Sequence, residues 1–363
     1  MVSDQPGPTA PTRQPGPTAP DDGAALEIDD VTVAYAPASA GDEPTLAVSG
    51  VTLDVAGGEV LALVGASGSG KSSLLRAVAG LEPLASGSIR IDGADLRGQP
   101  VHRRGVGMVF QDGQLFEHLS VEGNVVYGLR SLPRDRRPDR AQQRARIAEL
   151  LELVGLAGMA RRPVTTLSGG QAQRIALARA LAPAPRVLLL DEPLSALDRA
   201  LRERLAVDLA AILRAAGTTA VHVTHDLDEA ATIADRTAVL DGGRLLQVGT
   251  PADLWRAPAT REVADLLGYG PILPADRLGL GAGLVALAPG ALVALVPGED
   301  TPPDVVAHLP ATPVARRHVR GRWWLDVVLE KGERASALLP EGGDAPDLVA
   351  VGVVGSGVVR VGE

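Results

Sequence analysis

The sequence predicts an α/β fold built on a parallel sheet, followed by a smaller, mostly β domain. Three observations predict it. Between Val60 and Leu240, short apolar runs alternate with helical stretches, the pattern of strands joined by crossover helices. One run, Val60–Val64, leads into a glycine-rich loop and then a helix. After about Tyr269 the texture changes to short β-like runs punctuated by Gly and Pro. A length of 363 residues agrees with two domains at about 150 residues each, and 45% apolar residues can fill their cores.

The elements follow in order. Residues 1–25 read as a tail, in which Gln5-Pro-Gly-Pro-Thr-Ala-Pro11 recurs at Gln14–Pro20. Such sequence cannot bury apolar surface and is expected to be disordered. Leu26, Ile28, Val31 and Val33 suggest edge strands. The continuous apolar run Val60–Val64 predicts a buried parallel strand, Ser72–Ala79 a helix, and Val106–Phe110 another strand. Residues 120–182 read as helical, with Ile147, Leu150, Leu151 and Val154 on one face. That stretch breaks the alternation and predicts a helical subdomain at about 115–170. Val187–Leu190, Ala220–Val223 and Thr237–Leu240 are further strands, with helices at Ala200–Ala215 and Asp226–Ala234 between them. The first domain is placed at 26–257, a linker at 258–270 and the β domain at 271–363. Leu278–Pro297 carries no charge and is long enough to span a bilayer. Gly279, Gly281, Gly283, Pro289, Gly290 and Pro297 interrupt it, so two short strands around the Pro289-Gly290 turn are expected instead.

Composition excludes several classes. There is no cysteine, hence no disulfide scaffold, thiolate zinc site or cysteine nucleophile, which leaves the compartment open but fits a reducing cytoplasm. A net charge of −9 argues against a general nucleic-acid binder. The N-terminus shows no apolar core of a secretory signal. Of 35 basic residues only Lys71 and Lys331 are lysines, and aromatics are 2% of the chain, so their positions carry information.

Gly65-Ala-Ser67-Gly68-Ser69-Gly70-Lys71-Ser72 matches G-x-x-x-x-G-K-[ST]. Chance would supply about 0.002 such matches at this composition. In such a loop backbone N–H groups wrap phosphates, and the following helix N-terminus adds a favourable dipole. The lysine reaches the β- and γ-phosphates, and the serine hydroxyl coordinates Mg²⁺. Val187-Leu-Leu-Leu190-Asp191-Glu192 ends an apolar strand in two carboxylates. At the carboxyl edge of the sheet Asp191 can hold Mg²⁺ through water, and Glu192 can take a proton from the attacking water.

Leu167-Ser168-Gly169-Gly170-Gln171, upstream of Asp191, resembles the signature motif of ABC transporter ATPase subunits. Gln111 looks like that family's Q-loop glutamine, Ser195-Ala-Leu-Asp198 like its D-loop, and His225 in Val223-Thr-His-Asp226 like its switch histidine. Tyr35 is placed to stack on adenine; a core-facing strand residue is the alternative. The resemblance covers residues 26–257 closely. It implies a P-loop NTPase of the ABC ATPase type with a helical subdomain, followed by a small OB-like barrel that regulates or pairs the subunits.

The resemblance further implies two copies joined head to tail around two ATP molecules. Gly68, Ser69, Gly70, Lys71, Ser72 and Ser73 would bind phosphates and Mg²⁺ in one copy, while Ser168, Gly169, Gly170 and Gln171 of the other complete the γ-phosphate shell. Glu192 would be the general base, His225 would contact the γ-phosphate, and Asp198 would cross the interface or cap the helix after it. Gln111 would join Ser72 and Asp191 at the metal. Separate integral-membrane permease subunits would form the pore, with a solute-binding protein acting indirectly, and no nucleic acid is expected as partner. The chain would sit peripherally on the cytoplasmic face of the membrane. Phe110, Phe116 and Tyr127, around Gln111, would either receive the permease's coupling helix or pack the helical subdomain. The basic run from Arg130 to Arg146 reads as a solvated face. Arg316, Arg317, His318, Arg320 and Arg322, before Trp323 and Trp324, read as a barrel strand with an arginine edge. The family's Arg-Pro-Glu is replaced here by Ala288-Pro289-Gly290, which departs from its effector region. Ferric iron or another small solute is the expected cargo. The ATPase of a two-component exporter and a soluble ATPase of translation or DNA repair stay open. The C-terminal barrel counts against the first. The single signature motif and the lack of sustained heptads count against the second.

Overall fold

The computed structural model describes residues 24–36, 44–111, 115–130, 132–295, 301–319, 321–339 and 349–362. The repeated segments at 5–11 and 14–20, Pro297 and Arg320 lie outside the described residues. The chain runs through β1 (Ala24–Tyr35), β2 (Thr45–Ala56), β3 (Val60–Val64), α1 (Lys71–Ala79), β4 (Ser86–Ile91), β5 (Ala94–Asp95) and β6 (Val106–Val109). Three helices with one sheet strand after them follow: α2 (Val121–Arg130), α3 (Arg140–Leu153), α4 (Gly169–Leu181) and β7 (Val187–Asp191). Then come α5 (Arg199–Ala216), β8 (Thr219–Val223), α6 (Leu227–Ile233), β9 (Arg236–Asp241), β10 (Arg244–Gly249), α7 (Pro251–Arg256) and α8 (Arg261–Leu266). The remainder is β: β11 (Ile272–Pro274), β12 (Leu284–Leu287), β13 (Leu292–Leu295), β14 (Val305–Val319), β15 (Arg322–Leu329), β16 (Arg334–Leu338), β17 (Val349–Val354) and β18 (Val358–Val361).

The central sheet has strand order β10-β9-β3-β8-β7-β6, parallel throughout except for β10. All five residues of β3, β7 and β8 are buried, because helices or a second sheet cover both faces. β3 divides its side chains by the period-2 rule. Val60, Ala62 and Val64 join the core under the helical side, while Leu61 and Leu63 join the core shared with α1, β1, β2 and β4. Burying each of its valine and leucine side chains contributes about 1.5–3 kcal/mol, so β3 anchors the loop at its carboxyl end from both sides.

β1 is not an edge strand as its alternation suggested. It pairs with β2 on one side and β4 on the other in a four-stranded antiparallel sheet. Its alternation marks one face packed on the core, which edge and interior antiparallel strands share. The region 120–182 is not one helical run. It contains α2, α3 and α4 separated by turns, with Asp139 closing a capping box on Gln142 to start α3, where the side chain meets the first orphan N–H groups. Ile147, Leu150, Leu151 and Val154 are all buried.

The stretch 258–270 carries the helix α8, whose Val263 and Ala264 are fully buried. It packs into the core of the first domain with Leu267 and Tyr269. Beyond it, β11, β12 and β18 form a three-stranded sheet, and β13-β16-β15-β14-β17 close into a five-stranded barrel. The apolar runs flanking Pro289-Gly290 are strands, but they do not pair with each other: β12 pairs with β11 and β18, and β13 with β16 and β17. The three-stranded sheet is shared between cores. Ala286 and Val361 face the first domain, and Leu273, Val285 and Leu287 face the barrel. Among the described residues no helix is long and apolar enough to cross a membrane.

Candidate functional site

The glycine loop leaves β3 at Val64 and becomes α1 at Lys71. Gly65, Gly68 and Gly70 all take positive φ, which side chains resist. A Cβ at Gly70 would stand 2.2 Å from the carbonyl oxygen of Ala47 on β2, and one at Gly65 would stand 2.1 Å from that of Leu240 on β9. These glycines therefore serve close backbone approach as well as the turn. Ser67 and Gly68 are exposed at the rim, whereas Ser69 and Lys71 are buried. Lys71 Nζ donates to the carbonyls of Gly65 and Ala66, each at 2.8 Å, and to Ser69 Oγ at 3.1 Å. Burial lowers the Lys71 pKa, partly opposed by the nearby Glu192 and Asp191 carboxylates.

Ser72, on the first turn of α1, donates from Oγ to Asp191 Oδ1 at 2.8 Å. Asp191 ends β7 and is buried, and Arg76 one turn further along α1 lies 3.8 Å from its other oxygen. Glu192 follows with φ 45°, a left-handed conformation that costs a non-glycine residue of order 1 kcal/mol. It is held there: its N–H donates to Val223 O at 3.1 Å, and its carbonyl accepts from Ser195 N and Ser195 Oγ. His225 Nδ1 lies 3.3 Å from Glu192 Oε2. Two strand ends, β7 and β8, thus bring Asp191, Glu192 and His225 to the carboxyl edge beside the loop, where α/β sheets bind ligands.

Tyr35 closes β1, outside the buried core, and its hydroxyl is 3.0 Å from Ser73 Oγ on α1. An aromatic ring is thereby tied to the helix that opens at the phosphate loop. Gln111 is exposed two residues beyond β6. The pairing of Val109 with Leu190 sets Gln111 and Glu192 off the same sheet edge. Ser168 caps α4 in a reciprocal box with Gln171. Gly169 is exposed and Gly170 buried, and a Cβ on Gly169 would meet Leu197 Cδ2 at 3.4 Å. Asp198 caps α5 by accepting from Leu201 N at 3.0 Å. Apart from Gln111, exposed at the sheet edge, the predicted residues form two groups. One comprises the loop, Tyr35, Asp191, Glu192 and His225, and the other Ser168–Gln171 with the Leu197–Asp198 turn. Among the described residues no hydrogen bond joins the loop to Ser168–Gln171.

Three supports escaped sequence reasoning. Arg202 donates to Ser195 O and Leu197 O and pairs with Asp226, bracing the Asp198 turn against the His225 loop. Its only sequence signal is its place one turn after Asp198. Buried Asn124 binds Phe116 N, Phe116 O and Ser120 O. His222 and Glu229 form a buried pair. Around Gln111, Phe110 and Tyr127 are exposed, Phe116 and Tyr127 rings lie 4.4 Å apart, and the Arg179 guanidinium stands 5.3 Å over Phe116. In the barrel, Arg316 lies 4.0 Å over Trp323, and Arg317 makes two 2.7 Å bonds to Asp326.

A glycine loop between a buried strand and a helix, with carboxylates at the end of β7 one strand beyond β8, defines a P-loop NTPase site. Residues 48–195 match the ABC transporter family. The Fe(3+) ions import ATP-binding protein FbpC of Streptomyces coelicolor is 54% identical over 232 residues, which is 64% of this chain and 66% of that protein. The chain thus spans just under two thirds of that relative. FbpC of Streptomyces avermitilis is 49% identical, covering 72% of this chain and 73% of the relative, and the Sulfate/thiosulfate import ATP-binding protein CysA of Bradyrhizobium diazoefficiens is 45% identical, covering 76% and 82%. Among solved structures, a dimeric ATP-binding cassette in a post-hydrolysis state with ADP and Pi superimposes with a TM-score of 0.54 at 31% identity, over 62% of this chain and 98% of that one. CbiO1 of Clostridium perfringens, part of an ABC transporter complex, gives 0.56 at 28%, over 64% and 91%. The chain belongs to the ABC transporter family.

Proposed function

We propose that this chain hydrolyses ATP in a head-to-tail dimer to drive solute uptake through separate permease subunits on the cytoplasmic face of the membrane. The observation that carries the reading is the Asp191–Glu192 strand end. One carboxylate accepts from the loop's Ser72, and the next is held at positive φ within 3.3 Å of His225. Lys71 would exchange its loop carbonyls for β- and γ-phosphate oxygens. Glu192 would take the proton of the attacking water, with His225 orienting it and the γ-phosphate. Ser72, Asp191 and Gln111 offer only hard oxygen donors, the set that suits Mg²⁺ when nucleotide phosphates complete the shell. There Mg²⁺ would neutralise charge on the β- and γ-oxygens.

The separation of Ser168–Gln171 from the loop supports a second copy as their partner. The capped α4 start, with small Gly169 and Gly170, offers N–H donors to the γ-phosphate held by the other subunit. The exposed Phe110 and Tyr127 beside Gln111 suit the permease contact. The two FbpC relatives favour ferric iron as cargo. The test is Glu192→Gln. It is expected to lower ATP turnover about a hundredfold or more while ATP-dependent dimers accumulate in gel filtration. Wild-type turnover in that variant would overturn the assignment. Uptake of ⁵⁵Fe³⁺ in cells lacking the chain tests the cargo, and unimpaired uptake would reject iron.

A further inference from the structure

One end of the helical subdomain carries charge that the nucleotide site does not use. Residues 130–146 hold seven arginines and two aspartates, in a chain whose net charge is −9. α2 ends at Arg130 and α3 begins at Arg140, and the two helices pack together. The loop at 131–139 and both helix ends therefore lie at one end of the subdomain. Arg130, Arg134, Arg136, Arg140 and Arg144 are all exposed. Arg140 and Arg144 stand one turn apart on α3 and share a face.

These five guanidinium groups have no ion-pair or hydrogen-bond partner among the described residues. Their neighbours are occupied. Arg137 donates to the carbonyls of Arg130 and Leu132, and Arg146 pairs with Glu149. Asp139 caps α3 by accepting from Ala141 N and Gln142 N, which leaves Asp135 as the one uncommitted acid of the run among the described residues. Surface arginines elsewhere meet acids, as in Arg199–Glu203, Arg186–Asp92 and Arg261–Asp265. Like charges gathered without counter-charge repel one another until an anion covers them.

The position of this end selects the anion. Tyr127 stands one turn before Arg130 on α2 and is exposed, as is Phe110. The arginines therefore continue the aromatic surface beside Gln111 that suits the permease. Around a permease, at its cytoplasmic level, lies a leaflet whose anionic headgroups attract polybasic segments, and the guanidinium fork matches phosphate oxygens. No large apolar side chain is exposed between Arg130 and Arg146 among the described residues. A protein groove would be expected to take such an anchor, whereas a diffuse charged surface needs none.

We propose that the Arg130–Arg144 end of the helical subdomain docks on anionic phospholipid headgroups beside the permease. The net negative charge of the chain opposes approach to such a leaflet, so one basic end both attracts the subunit and orients it. The choice of a membrane rests on the importer reading, but binding to vesicles is measured without it.

The test is co-sedimentation of the full chain with phosphatidylcholine vesicles, alone or with about one third phosphatidylglycerol. Binding to the anionic vesicles is expected to be about tenfold tighter or more, and to fade between about 0.05 and about 0.5 M salt. Each arginine close to such a surface strengthens partition about fivefold. The variant Arg134→Gln/Arg136→Gln/Arg140→Gln/Arg144→Gln should therefore bind about twentyfold more weakly or less tightly still, with the ATPase rate of the wild type. Lysine at the same four positions should keep most of the binding, because the attraction is to a charged surface and not to a bidentate acceptor. Equal binding to the two kinds of vesicle, or wild-type binding by the glutamine variant, overturns the proposal. A glutamine variant that binds vesicles normally but loses solute uptake in cells would give this face to the permease and overturn it too. A chain that binds anionic vesicles through these arginines yet hydrolyses no ATP would count against the importer reading and leave the lipid surface standing.

Discussion

His222 Nε2 lies 2.7 Å from Glu229 Oε1, with the histidine fully buried and the carboxylate nearly so. The pair ties β8, which ends just before His225, to α6, which begins just after it. His222 sits between Ala62 of β3 and Leu190 of β7 in the sheet, so α6 is fastened to the centre of the fold. Glu229→Ala leaves a buried nitrogen without its partner, beside an Nδ1 that already has none. The expected loss is about 1–3 kcal/mol, read by urea unfolding, together with a fall in kcat larger than any rise in KM. Replacing both residues together by leucine should cost less than the single change. Unchanged stability in Glu229→Ala would show that the pair does not hold α6.

Tyr35 makes separable contributions through its ring and its hydroxyl. Tyr35→Phe removes the bond to Ser73 and keeps the stacking surface, so ATP affinity should fall only a few-fold. Tyr35→Ala removes both, and loss of one base stack costs about 1–3 kcal/mol. The Kd measured with a fluorescent ATP analogue should rise about tenfold or more. Equal affinities for the three proteins would remove Tyr35 from the nucleotide site.

Gly70→Ala places a Cβ 2.2 Å from the Ala47 carbonyl at φ 99°. The loop must move away from β2, and with it the start of α1. Nucleotide binding is expected to be lost while far-UV circular dichroism changes little. An alanine variant with normal affinity would refute the close-approach reading.

Ser72→Ala removes the hydroxyl that donates to Asp191. The Mg²⁺ concentration for half-maximal ATPase activity should rise about tenfold or more, since one of few protein oxygens is lost. Nucleotide affinity without metal should move much less. An unshifted Mg²⁺ dependence would place the metal elsewhere.

The phosphate site was legible in the sequence because its chemistry is written contiguously. Gly65 to Ser72 must stand at those spacings for N–H groups, ammonium and hydroxyl to meet one phosphate chain. Asp191 and Glu192 were legible because an apolar strand delivers its next residues to the sheet edge. The contacts that complete the site span greater distances. Tyr35 reaches Ser73 across 38 residues, which no local pattern announces, and Arg202 joins the Asp198 turn to Asp226, signalled only by its place one turn after Asp198.

The same division runs through the fold. Alternation and apolar runs identified strands and helices, because burial on one face or two leaves a period that a short window reveals. Pairing was another matter. β1 has the pattern of an edge strand yet lies inside its sheet, and β12 and β13, one turn apart, belong to different sheets. Strand partners are chosen by which distant surfaces must be covered, and that choice depends on the whole packed chain. Local chemistry therefore declared a phosphate-binding ATPase from one stretch of residues. Long-range packing alone placed His225 beside Glu192 and kept Ser168–Gln171 apart from the loop.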